Sequence, residues 1–80
     1  FTEKEAAENR LSEYESQYGF TARQSEIFRL VVKGCSNAEI SSELFLSENT
    51  VKFHIKNILK KTKCTNRTIL ISRFKMNSVF

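Results

Sequence analysis

The feature that most constrains this chain is a pair of helix starts with almost no chain between the helices they open. Ser36 is followed three residues later by Glu39. In that spacing the serine hydroxyl accepts from the Glu39 amide and the glutamate reaches back to the amide of its capping partner. Ser47 is a second N-cap, with Leu46 and Val51 placed as a hydrophobic staple across it. Only Phe45 to Ser47 separate the two helices. Helices joined so tightly cannot run far apart, so the stretch from Ser36 to Lys63 is a candidate helix-turn-helix.

The second of these helices, read over residues 48–63, divides by chemistry. At roughly 100° per residue, with Lys52 at zero, Asn49, Lys52, Phe53, Lys56, Lys60 and Lys63 fall within an arc of about 100°. Val51, Ile55, Ile58, Leu59 and Thr62 fall on the other side. One face is core and the other is basic with a single aromatic. A basic helix face after a tight turn is what the major groove of DNA accepts.

The rest of the chain is consistent with a helical domain. Eighty residues make one small domain with a modest core. There is no proline and there are two glycines, Gly19 and Gly34, which argues against a β-rich fold built on tight turns. No apolar run approaches a membrane span, and no signal-peptide pattern is present. Cys35 and Cys64 have no ligand-like spacing and are read as reduced and structural, with no metal or other cofactor expected. The chain starts at Phe1 rather than methionine, which suggests a piece of a longer protein.

Residues 1–19 read as an additional N-terminal helix. Thr2 and Glu5 form a capping box, Ala7, Leu11, Tyr14 and Tyr18 recur as a heptad-like stripe, and Gly19 ends it. Its expected role is a linker to an upstream domain or a lid packed on its own domain. Residues 20–80 form the second unit. Phe20 to Lys33 is helical, with Thr21 and Gln24 as a further capping box and an Ile27, Leu30, Val31 stripe, closed by Gly34. The expected fold is all-α: a four-helix domain containing the helix-turn-helix, preceded by the additional helix. Charge follows the same division. Residues 1–19 carry five glutamates against two basic residues, while residues 20–80 carry eleven basic residues against four glutamates. From Lys52 to Lys75 there are eight basic residues and no acid. A charge run is ordinarily a solvated face. A one-signed run following a helix-turn-helix favours nucleic acid.

The pattern Phe20-Thr21-x-Arg23-x-x-Glu26-Ile27, Gly34-x-Ser36-Asn37-x-Glu39-Ile40, Leu44-x-Leu46-Ser47-x-x-Thr50-Val51-Lys52-x-His54, Asn57-Ile58-x-x-Lys61 and Asn66-Arg67-Thr68 resembles the LuxR/GerE-type helix-turn-helix domain of bacterial transcription regulators. The resemblance covers about residues 20 to 76 with its motifs in register. It implies a four-helix DNA-binding domain, often the C-terminal half of a sensor or response regulator, whose third helix enters the major groove and whose fourth commonly pairs two copies. Gln24, Ser41, Lys63, Cys64 and Leu70 depart from the residues usual in that family, and none of these departures removes a DNA-facing motif position.

On this resemblance Lys52, Phe53 and Lys56 fall on base-reading positions. Lysine can donate to guanine edges and Phe53 can meet a thymine methyl; simple solvent exposure is the plainer alternative. Asn49, Thr50, Lys60 and the helix starts Ser36, Asn37, Ser47 and Asn66 are candidates for phosphate contact, although capping explains those four starts equally well. Arg67 is placed for either a phosphate or a structural bond. His54 lies about 160° from Lys52 and reads as a packed structural histidine. On the last helix, expected from Asn66 to about Met76, Leu70, Ile71 and Phe74 complete the core. Ile69, Ser72, Arg73 and Met76 lie opposite, as a patch for two-fold contact between copies on DNA. Failing that patch, the Ala7, Leu11, Tyr14, Tyr18 stripe is the next pairing surface.

The expected function is sequence-specific binding of double-stranded DNA for transcription regulation, in the bacterial cytoplasm at the nucleoid, with RNA polymerase as a candidate further partner. Two other classes stay open. A sigma-factor-like promoter-reading region uses a similar motif, and a helical protein-interaction module could direct its basic face at an acidic partner. An enzyme is not expected, because no nucleophile–base pair, paired carboxylate or phosphate loop is present.

Overall fold

Four side-chain caps set where the last four helices of this computed structural model begin. The structure describes residues 3–77, with side chains described for residues 8–75. Its helices are α1 (Glu3–Tyr18), α2 (Ala22–Val32), α3 (Asn37–Leu44), α4 (Glu48–Thr62) and α5 (Arg67–Asn77), with no strand among the described residues. Thr21 and Gln24 close one capping box and Ser36 and Glu39 the other. The Ser47 hydroxyl accepts from the Thr50 amide at 3.1 Å. At α5 the side-chain Oδ1 of Asn66 accepts from the Ile69 amide at 2.9 Å. Each cap satisfies a donor that a helix start leaves without an intrahelical partner. The expected cap at Thr2 lies outside the described residues.

The first four helices all end in the same way. A residue with positive φ follows each: Gly19, Gly34, Phe45 and Lys63. The next amide then turns back five residues: Phe20 to the Glu15 carbonyl, Cys35 to Leu30, Leu46 to Ser41, and Cys64 to Leu59, at 2.9–3.1 Å. This is the Schellman geometry, in which the residue after the left-handed one commonly makes an apolar contact. Here that residue is Phe20, Cys35, Leu46 or Cys64, and all four lie in or against the core. Recognition of the last two stops corrects one boundary. α4 ends at Thr62, and Lys63 is its left-handed cap rather than its last residue.

The core is formed by Ile27, Phe28 and Val31 of α2, Ile40 of α3, Val51, Ile55 and Ile58 of α4, and Leu70 and Phe74 of α5. Val51 is fully buried and Leu46 packs half-buried beside the same core, as the staple requires. α4 is the central element, packed against α2, α3 and α5.

α1 joins this core through an aromatic cluster. The Tyr14 ring stacks on Phe28 at 5.1 Å and meets Phe74 edge-on at 5.3 Å, while Phe20 meets Phe28 edge-on at 5.2 Å. Offset and edge-to-face geometries of this kind are the favoured ones. α1 thus packs on its own domain. The stripe of Leu11, Tyr14 and Tyr18 is occupied by its own domain, and the side chain of Ala7 lies outside those described. Arg29 of α2 adds register by donating its fork to Glu15 at 2.8 and 3.2 Å and to Glu8 at 2.7 Å. The Glu15 hydrogen bonds hold its guanidinium charged far beyond the usual range.

The docking of α1 is polar-imperfect. The Tyr14 hydroxyl and the Arg10 Nε are buried without a hydrogen-bond partner among the described residues. Burial, together with neighbouring Tyr18, pushes the Tyr14 hydroxyl up to about 12. An unsatisfied buried polar group costs about 1–3 kcal/mol. Tyr14→Phe keeps the ring contacts and removes the hydroxyl, so its melting temperature should match or exceed the parent's. Ile58→Ala, at a fully buried site, should cost about 2–5 kcal/mol by urea titration.

Candidate nucleic-acid interface

The caps and stops on either side of Phe45 fix how α4 is presented. Phe45 takes φ 56 and ψ 44, its amide donates to the Ser41 carbonyl, and three residues later α4 is under way. With Val51, Ile55, Ile58 and Thr62 buried on one side, the opposite face is turned out. Thr62 is the one polar member of the buried set, and its hydroxyl donates to the Ile58 carbonyl at 2.9 Å.

The outward face carries Asn49, Lys52, Phe53, Lys56 and Lys60, all exposed, with Lys63 at its end. Phe53 is 60% exposed, an unusual setting for a large aromatic on a packed helix. None of the lysines on this face makes an ion pair or hydrogen bond among the described residues; the acids that do pair, Glu8, Glu15 and Glu26, sit with Arg29 and Arg23 on the α1–α2 side. The positive charge of this face is therefore not ion-paired among the described residues, and its field acts outward. His54 is half-buried at the edge of this face, its ring edge-on to Phe53 at 5.7 Å.

The other candidate positions divide by what they already hold. Ser36 and Ser47 are engaged as caps, and the Ser47 and Thr50 hydroxyls share a hydrogen bond at 2.9 Å. The Ser36 amide bond holds the Glu39 carboxyl below the usual carboxylate range. Asn66 is engaged as a cap as well. Arg67 is half-buried and donates to the Cys35 carbonyl and, at 2.6 Å, to Asn37 Oδ1. This bond joins the start of α5 to the start of α3. On α5, Leu70 and Phe74 are buried and Ile71 half-buried, as read. Opposite them Ser72 is exposed and Ile69 half-buried, partly packed on the core. Arg73 folds back, with Nη1 3.4 Å from the Thr62 carbonyl and 3.7 Å from Cys64 Sγ. The side chain of Met76 lies outside those described.

Lys61 was not singled out as a functional residue. Its Nζ donates to the Gly19 carbonyl at 2.8 Å and to Gln24 Oε1 at 2.7 Å, tying the end of α4 to the α1–α2 junction. The signal was present, since Lys61 lies about 180° from Lys52 on the wheel and so points at the body of the domain. No group of three or more His, Cys, Asp or Glu side chains able to hold a metal occurs among the described residues.

Comparison with known proteins is consistent with this geometry. The family model described as "Bacterial regulatory proteins, luxR family" matches residues 19–74. The chain is 41% identical over 56 residues to the uncharacterized transcriptional regulatory protein YhcZ of Bacillus subtilis, covering 70% of this chain and 26% of that protein. It is 47% identical over 53 residues to the monoamine regulon transcriptional regulator of Klebsiella aerogenes, covering 66% and 23% respectively. Its identity to the spore germination protein GerE of Bacillus subtilis is 41% over 56 residues, covering 70% of this chain and 76% of GerE. The chain thus spans about a quarter of the length of the first two relatives. No solved structure matches it significantly.

The turn generates a testable expectation of its own. Phe45 is 94% exposed and left-handed, so it contributes no burial while a non-glycine residue there costs roughly 1–2 kcal/mol. Glycine removes that strain but adds about 0.5–1 kcal/mol of unfolded-state entropy. Phe45→Gly should therefore leave stability unchanged or raise it by up to about 1 kcal/mol, read from denaturant melts.

Proposed function

The chain belongs to the luxR family of bacterial regulatory proteins, and we propose that it serves as the DNA-binding output domain of a larger transcription regulator, with the exposed face of α4 in the major groove. The observation that carries the reading is the unpaired lysine face of α4, held outward by a fully packed opposite face and by a three-residue turn. Lys52, Phe53 and Lys56 are the base-reading residues. They are exposed, they hold no hydrogen bond or ion pair among the described residues that would have to break, and they sit in the first three turns of the helix proposed to enter the groove. Asn49, Thr50 and Lys60 flank them along the backbone, and Ser36, Asn37, Ser47, Asn66 and Arg67 position the helix starts. The short coverage of YhcZ and the monoamine regulon regulator supports the place as one domain of a longer protein. The reading puts its work on the bacterial nucleoid. None of the described helices is long and apolar enough to cross a membrane.

A duplex titration over a range of salt tests this reading. Affinity should fall steeply with salt, log K dropping by about 0.9 per neutralised phosphate for each tenfold rise. Lys52→Ala and Lys56→Ala should each reduce discrimination between the preferred site and random duplex by roughly 1–3 kcal/mol, whereas Lys60→Ala should weaken both alike. Equal losses on both duplexes for all three would remove the base-reading assignment.

On DNA, α5 pairs two copies through Ile69, Ser72, Arg73 and Met76. Support comes from the placement of Ile69 and Ser72 opposite the buried Leu70 and Phe74. The patch is small, since Ile69 is already partly covered by its own core, so the free domain should be mostly monomeric. Two half-sites about one helical turn apart should recruit a pair cooperatively. Ile69→Glu should leave half-site affinity intact and abolish that cooperativity in a gel-shift series. Cooperativity that survives the change would place pairing elsewhere.

A further inference from the structure

Arg67 is the first residue of α5, yet its guanidinium acts on the chain thirty residues earlier. It donates to the Cys35 carbonyl and to Asn37 Oδ1, so its two contacts bracket Ser36, the N-cap of α3. The consequence for Asn37 is chemical as well as mechanical. A side-chain amide has one acceptor end and one donor end, and a guanidinium can only donate. The hydrogen-bond network therefore fixes the flip of the amide: Oδ1 faces Arg67, and the Nδ2 donors are left at the opposite end. Asn37 is half-buried, and its Nδ2 has no partner among the described residues.

From this we infer that Arg67 is a positioning residue for DNA binding, one that presents the Asn37 amide donor to a backbone phosphate without touching the duplex itself. The inference rests on the DNA-binding reading above. A phosphate oxygen only accepts, so an amide turned the other way would meet it acceptor to acceptor. By holding Oδ1 inward, Arg67 supplies the one polarity of Asn37 that an anion can use, and it fixes the neighbouring backbone at Cys35 in the same contact. The planar fork spans both acceptors, which a lysine ammonium cannot reproduce.

Arg67→Lys and Asn37→Asp, compared with the parent in one salt-dependent duplex titration, test the assignment. Arg67→Lys preserves charge. A direct phosphate contact would survive it, while the clamp would not. Affinity for specific and random duplex alike should fall about tenfold, the scale of one lost charge-assisted hydrogen bond. The salt slope should stay within half a unit of the parent's, at a temperature where circular dichroism shows the fold intact. Asn37→Asp keeps an acceptor for Arg67 and strengthens the clamp, but it deletes the donor. Its melting temperature should equal or exceed the parent's while duplex affinity falls at least tenfold. That split, beyond the loss shown by Ala38→Asp at the exposed neighbouring position as the control for added negative charge, is one a purely structural role would not produce. Parent-like binding by Arg67→Lys, or by Asn37→Asp, would overturn the inference, and the second variant decides the matter if the first fails to fold. The parent's own curve reports whether the domain binds DNA at all, so failure of that reading and failure of the clamp give different results.

Discussion

The structure depends on a single manoeuvre carried out four times: a helix stops at a left-handed residue, its carbonyl ladder is closed by an amide five residues on, and the side chain after the stop drops into the core. Without proline to enforce breaks, these closures alone reverse the chain. They place Phe20, Cys35, Leu46 and Cys64 against the interior, so each turn also contributes to packing. The hydrogen bond and the apolar contact are mutually dependent, because each holds only if the other fixes the backbone where it is. The orientation of α4, and with it the direction of its basic face, is the product of two such stops, one at each end.

Cations complete what the turns begin. Helix C-termini leave carbonyls without intrahelical donors and carry negative partial charge. Lys61 reaches the Gly19 carbonyl beyond α1, Arg67 the Cys35 carbonyl beyond α2, and Arg73 the Thr62 carbonyl at the end of α4. The one-signed run from Lys52 to Lys75 thus contains two populations. One set, on the outer face of α4, makes no ion pair among the described residues; the other is turned inward and joins helices that are distant in sequence. The excess of positive charge is partly an exposed face and partly a set of internal fasteners.

Much of this was legible in the residues. Capping boxes announce themselves by spacing, and all three helix starts with a Ser or Thr cap in the described chain stand where Thr21, Ser36 and Ser47 placed them. The two faces of α4 followed from periodicity alone. Gly19 and Gly34 were legible as stops because glycine is the residue that accepts positive φ without strain. Phe45 and Lys63 were not, since nothing in a phenylalanine or a lysine signals a left-handed backbone, and α4 consequently read one residue too long. The inward cations were hidden for a related reason. A lysine or arginine on a wheel says which way it points, but not whether a bare carbonyl waits there; that depends on where the other helices end. The contacts of Arg67 with Cys35 and Asn37, and of Tyr14 with Phe28 and Phe74, were hidden for want of that knowledge.

The outer face of α4 has a further consequence for how such a domain can change. Lys52, Phe53 and Lys56 are exposed, and neither lysine is bonded among the described residues, so the fold places almost no demand on their identity. On the base-reading role proposed for them, substitutions there are screened by whatever duplex the domain meets and hardly at all by the need to fold. Asn37, Arg67 and Lys61 are in the opposite position, each answering to a partner on another helix. A lineage carrying this scaffold can therefore drift in what it recognises while the means of holding the reading helix stay constant, because the vocabulary and the grammar are written on different residues.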